Sequence, residues 1–150
     1  MTENSTIHAS AVLVGAKAVL IRGPAGSGKS HLVWGLLQSA ARGALPFARL
    51  VADDRAYVEA CAGRLLVRPA PALAGMLEIR GLGIRRLPYE PVAAVALVVD
   101  LAAADAARYP GPEIGKTSIG GVFLPLLAVA PGMPALAMVL AYLGTLPTAN

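Results

Sequence analysis

The fold turns on one stretch, AVLIRGPAGSGKSHLVWGLL at residues 18–37. A short apolar run with β-branched residues, Ala18 to Ile21, leads into GPAGSGKS. Apolar residues then recur at Leu32, Val33, Leu36, Leu37 and Ala40. That change of period predicts a strand, a glycine-rich loop and a helix over 31–43 with Gly43 as its C-cap. The loop fills every fixed position of G-x-x-x-x-G-K-S/T with Gly23, Gly28, Lys29 and Ser30, and carries Pro24, Ala25, Gly26 and Ser27 between them. Its glycines let backbone N–H groups turn inward around a phosphate, and the following helix contributes the positive end of its dipole. Lys29 supplies a mobile charge for the β- and γ-phosphates, and Ser30 is suited to ligate Mg²⁺. ATP with Mg²⁺ is the expected ligand.

Outward from this stretch the chain alternates strands with turns. AVLVGAKAVLIRG (11–23) reads as a hairpin around Gly15 and Ala16. ARLVADD (48–54) reads as a strand ending in two carboxylates, and AYVEACAGRLLVRP (56–69) as a hairpin around Ala62 and Gly63. Residues 71–88 form a Pro- and Gly-rich segment with a charged centre. VAAVALVVDL (92–101) is a continuous apolar run, so a buried strand, and 102–115 reads as a short helix and then a loop. The stretch 122–144 is uncharged and long enough to raise the membrane question. Pro125, Pro131 and Pro134 divide it into a strand and a short final helix over 134–143, which argues against a span. The expected architecture is α/β, with a mixed sheet around the phosphate-loop helix.

Composition agrees. The 150 residues suit one domain, 1–150, and are 56% hydrophobic with 15% charged, the opposite of a disordered chain. Aromatics are only 5%, so Ala, Val and Leu must fill the core. The single cysteine, Cys61, excludes an intramolecular disulfide or a cysteine-cluster zinc site and suits a reducing compartment. Residues 1–10 lack a basic segment followed by an apolar one, so no secretory signal is expected and the location is taken as cytoplasmic. Net charge is +4, but the ten arginines are not gathered in one run, which points away from nucleic acid.

A phosphate loop needs an acidic residue at the end of a neighbouring strand, and Asp53 and Asp54 fill that place. Alternation along a strand aims successive residues at different targets, so one acid can serve the metal while the other takes a proton from an attacking hydroxyl. The lesser alternative for either acid taken alone is a turn cap. Glu78 and Arg80 stand inside LEIRGLGI among apolar and glycine residues, which looks like a site rather than a solvated face, and Arg85 and Arg86 make a small basic patch with Arg80. Trp34 and Tyr89 read as packing residues, His31 as solvent-facing, His8 as a tail histidine and Arg108 as a solvated loop arginine.

Three segments together, IHASAVLVGAKAVLIRGPAGSGKS, LVADDRAYVEA and LEIRGLGI, in that order, resemble the HPr kinase/phosphorylase family, in its short forms that carry only the C-terminal catalytic domain. The resemblance covers roughly residues 7–109 and, more loosely, the tail. It implies a P-loop kinase core similar to phosphoenolpyruvate carboxykinase, a hexameric assembly, and transfer of phosphate from ATP to a serine of the phosphocarrier HPr. It also implies the reverse reaction, in which inorganic phosphate removes that group as pyrophosphate. By the same resemblance His8 and Arg108 become functional residues, Glu78 a magnesium-linked acid, and Asp53–Asp54 the catalytic pair. Asp54 is taken as base and Asp53 as its support. The tail departs from the family pattern. AVAPGMP (128–134) carries Ala130 and Met133 where arginines are expected, so handling of inorganic phosphate should be weak. A small-molecule P-loop kinase and a nucleotide-binding module without transfer activity remain as alternatives.

Overall fold

A computed structural model of the chain describes residues 5–103 and 115–145. Among the described residues eleven strands, one 3₁₀ turn and two helices run in the order β1 (Ser5–Ile7), β2 (Ala9–Val14), β3 (Lys17–Arg22), α1 (Lys29–Ala41), β4 (Ala48–Ala52), β5 (Ala56–Cys61), β6 (Arg64–Pro69), a 3₁₀ turn (Pro71–Leu73), β7 (Met76–Ile79), β8 (Gly83–Arg86), β9 (Ala93–Asp100), β10 (Gly115–Ile119), β11 (Val122–Ala128) and α2 (Ala135–Gly144). Nine strands form one mixed sheet, and β7–β8 is a separate hairpin. Along the sheet the order is β1-β5-β6-β9-β3-β2-β4. β11 joins parallel to the C-terminal part of β9, while the N-terminal part of β9 pairs antiparallel with β6.

β3 and β9 lie side by side in parallel at the centre and are apolar on both faces. Ala18 and Leu20 point into one core with Val58, Leu65, Val67 and Val98. Val19 and Ile21 point into the other with Leu32, Val33 and Leu36 of α1. Burial on both faces is why these strands read as unbroken apolar runs. The sheet curls, so that β6 meets β4 and β5 meets β2 across the first core. α1 covers the second core, with α2 packed beside it. At Gly35 an added Cβ would stand 2.9 Å from the side chain of Leu136, so the absence of a side chain there lets the two helices close.

The hairpin around residues 15–16, that around 62–63, the buried strand and the final helix lie where the sequence places them. α1 begins at Lys29, two residues before the expected start. The segment 71–88 is itself a hairpin, which its glycines and charges hid, and two short strands, β1 and β10, have no apolar pattern to announce them. The strand expected over 48–54 stops at Ala52, so both aspartates lie just beyond it. The helix expected after Asp100, and Arg108 with it, fall on residues 104–114, outside the described residues. No helix among the described residues is long and apolar enough to cross a membrane.

Candidate active site

The C-terminal ends of β3, β4 and β9 and the start of β2 meet at one edge of the sheet, where α1 begins. Loop 23–28 crosses that edge. An added Cβ at Gly23 would stand 2.5 Å from Ser27 Oγ and 3.1 Å from Leu101 Cβ, so only glycine fits between the loop and β9. Gly28 sits at φ 102 immediately before α1 with open space around it. The first turn of α1 holds no acidic residue and takes no side-chain cap, which leaves its N–H groups turned toward an incoming anion. Lys29 is buried and donates from Nζ to the carbonyls of Gly23 (2.9 Å) and Pro24 (3.2 Å), which holds its charge at the floor of the loop. This cradle fits a chain of phosphates.

Asp53 gathers the opposite wall. Its carboxylate is buried and accepts three hydrogen bonds: from Ser30 Oγ at 2.6 Å and Ser10 Oγ at 2.8 Å on Oδ1, and from the Glu78 N–H at 3.2 Å on Oδ2. A β-bulge aims it there. Ala11 pairs with Ala52 but Val12 with Leu50, so Val51 is an extra residue on β4. Val51 and Ala52 both turn into the core away from α1, whereas Leu50 faces α1. Strict alternation would have sent Asp53 to the far side, and the bulge returns it to Ser30.

Asp54 diverges for a different reason from the strand alternation expected. It has φ 67, a left-handed conformation that aspartate adopts more readily than most residues. That turn brings its exposed carboxylate into the cleft, with Oδ1 3.7 Å from His8 Nδ1. The cleft encloses about 880 Å³, and Lys29, Ser30, His31, Trp34, Asp54, Glu78 and Arg80 all line it. Glu78 and Arg80 share this wall without forming an ion pair with each other. His31 and Trp34, read as surface and packing residues, therefore reach the site, and Trp34 also packs on the second core. Among the described residues no three His, Cys, Asp or Glu side chains gather into a metal cage. The donors offered are one hydroxyl and single carboxylates, a set that suits a magnesium ion whose other ligands are phosphate oxygens and water.

The residues singled out from sequence thus come together: loop residues Ala25, Gly26, Gly28, Lys29 and Ser30 line one cleft with Asp54 and Glu78, Asp53 stands behind Ser30, and His8 stands beside Asp54. Ser10 was missed. It is buried at the N-terminal end of β2 and shows in sequence only as a polar residue between Ala9 and Ala11.

A phosphate-loop motif and an acid pair thus stand together at one edge of a mixed sheet that α1 and α2 back. The chain matches the family model described as the HPr Serine kinase C-terminal domain over residues 1–106 and belongs to that family. Its structure resembles that of the Hpr(Ser) kinase/phosphatase from Coxiella burnetii with a TM-score of 0.73 at 24% identity, covering 93% of this chain and 94% of that one. A search of curated protein sequences gives no match.

Proposed function

We propose that residues 1–150 act as one catalytic domain, an ATP- and Mg²⁺-dependent protein-serine kinase whose acceptor is HPr or an HPr-like phosphocarrier. One observation carries this reading: the phosphate cradle and an exposed carboxylate, Asp54, line the same open cleft. A nucleotide-binding module without transfer activity needs no such second group. The seryl O–H gives its proton to the Asp54 carboxylate as its oxygen bonds to the γ-phosphorus. The bond from that phosphorus to the β–γ bridging oxygen breaks in line, and ADP leaves. Lys29 and the α1 N-terminus offset charge on the nucleotide. Ser30 and Glu78 would hold Mg²⁺, which when bound neutralises phosphate charge. His8 stands where it can orient Asp54, and Arg108 is carried as a further charge donor by family resemblance.

The acceptor side is open. Asp54 is 62% exposed and His8 66%, which suits a serine presented on a protein surface better than a small molecule enclosed by a lid. The reverse, phosphorolytic direction is proposed to be weak or absent. Loop 129–134 closes beside the end of β9 through Val129 and Ala103 and carries no cation. Two further proposals follow from the resemblance and from the surface: a cytoplasmic location, and a homo-oligomer, with a hexamer implied by the family. The second is supported by the uncharged α2, of which only Val139 is buried, and by Phe123, which is 77% exposed. Light scattering at micromolar concentration checks it, and a monomer would remove it. The function itself is tested by incubating the purified protein with radiolabelled ATP, Mg²⁺ and HPr from the same organism. Label on an HPr serine is expected. Unlabelled HPr in the presence of tight ATP binding would overturn the reading.

A further inference from the structure

We infer that Ser10 is a positioning residue that locks the Asp53 carboxylate and the Asp54 backbone of this site into one geometry. The inference rests on the phosphotransfer reading above but not on the identity of the acceptor. Ser10 has no exposed surface. Its hydroxyl has one proton and spends it on Asp53 Oδ1 at 2.8 Å. Its oxygen in turn accepts the backbone N–H of Asp54 at 2.9 Å. One side chain therefore fixes the carboxylate of one aspartate and the main chain of the next.

Each link answers a specific need. Asp53 lies beyond the end of β4, so no ladder hydrogen bond fixes its neighbourhood. Asp54 has left the extended conformation for φ 67, a region that persists only where surrounding contacts impose it. The Ser10 hydroxyl is the side-chain partner of its amide. The register supplies the rigidity: Ser10 lies opposite Ile21 on β3, one residue from the bulge-side pair Ala11–Ala52. The position is set by the two strands that also set Gly23 and Asp53. Displacement of a reacting group by about 1 Å costs on the order of 100-fold in rate. A group that holds one carboxylate and the backbone that carries the other thus acts on transfer without touching substrate.

The test uses Ser10→Ala and Ser10→Thr in the full chain. Ser10→Ala should lower kcat for phosphotransfer roughly 10- to 100-fold. The acceptor KM and the ATP affinity measured without Mg²⁺ should change little. The gain in ATP affinity on adding Mg²⁺ should shrink, because Asp53, without the Ser10 bond, holds Ser30 less firmly. In the ligand-free protein, hydrogen exchange at the Asp54 amide should accelerate, while the Leu20 and Ile21 amides of β3 keep their protection. Ser10→Thr keeps the hydroxyl and should restore most of each effect. Unchanged exchange at Asp54, or unchanged kcat in Ser10→Ala, would overturn the inference. So would a loss of Mg²⁺-free ATP affinity in step with melting temperature, which is the signature of a merely structural serine. If the wild type transfers phosphate to no acceptor, the proposed function fails. The Mg²⁺-linked affinity and the Asp54 amide then still decide the role of Ser10.

Discussion

Replacing Gly23 by Ala tests whether the phosphate loop is held as the packing implies. The new methyl would sit 2.5 Å from Ser27 Oγ, 3.1 Å from Leu101 Cβ and 3.3 Å from the Leu101 carbonyl oxygen. The first contact is with a side-chain end that can rotate, but that oxygen is already buried and has no hydrogen-bond partner. The other two neighbours belong to the chain just past β9, where Leu101 N–H is bonded to the Arg22 carbonyl, and they can give by only a few tenths of an ångström. Overpacking of this kind costs about 1–3 kcal/mol. The cost has two places to appear. If the loop keeps its shape, stability falls, at about 2–4 °C of melting temperature per kcal/mol for a chain of this size. If the loop relaxes away from Leu101, stability is kept and ATP affinity falls instead, tenfold for each 1.4 kcal/mol or so. Calorimetric ATP titration and a thermal melt on the same preparation capture both. Adding Ser27→Ala removes the shortest contact and should recover a large part of the loss. Ser27→Ala alone should be neutral or slightly stabilising, since it deletes a buried hydroxyl without a partner. A Gly23→Ala protein with both unchanged melting and unchanged affinity would refute the argument, as would a double variant that recovers nothing.

Three further outcomes are expected. Lys29→Ala removes the buried ammonium at the loop floor and should weaken ATP binding by at least about tenfold, since a charge-assisted hydrogen bond contributes about 1.5–3 kcal/mol; equal calorimetric affinity would defeat the nucleotide assignment. Asp54→Asn should keep ATP binding and lose phosphotransfer by roughly 100-fold or more, whereas near-normal transfer with an inactive Asp53→Asn would exchange the roles of the pair. Serine-phosphorylated HPr incubated with inorganic phosphate should release pyrophosphate far more slowly than the forward reaction runs, and comparable rates would show that Ala130 and Met133 do not matter.

The centre of this fold was readable because its signals are local. β3, the glycine loop and α1 carry period and motif in a few consecutive residues, and seven of the eight residues of β9 are an unbroken apolar run. The 71–88 hairpin was opaque for the converse reason. Leu82, Ile84, Arg85 and Arg86 are all exposed, so no alternation between a wet and a dry face marks it. β1 and β10 are short strands held by pairing with a neighbour, and each packs only one apolar residue, Ile7 and Ile119, against the first core, too few to show a period. The same limit explains Ser10: a serine between two alanines looks like a strand position of no consequence until β4 is laid beside it.

The acid pair shows how a placement beside the phosphate loop can rest on an incomplete reason. Asp53 and Asp54 were singled out because a strand end beside a phosphate loop needs an acid, and both do face the cleft side. Alternation along a regular strand, however, would have put Asp53 in the core away from α1, where an unpaired buried carboxylate is costly. What prevents this is an extra residue, Val51, while a left-handed backbone turns Asp54 into the cleft, and neither has a sequence marker. Bulges break the period-two rule by one residue and so reverse the face of everything after them. The bulge needs a partner strand whose register is fixed, and β2 supplies it through Ala11 and Val12. The segment before the phosphate loop thus shapes the site from the opposite strand: His8 faces Asp54, Ser10 holds both aspartates, and the pairing of Ala11 and Val12 decides which way Asp53 points.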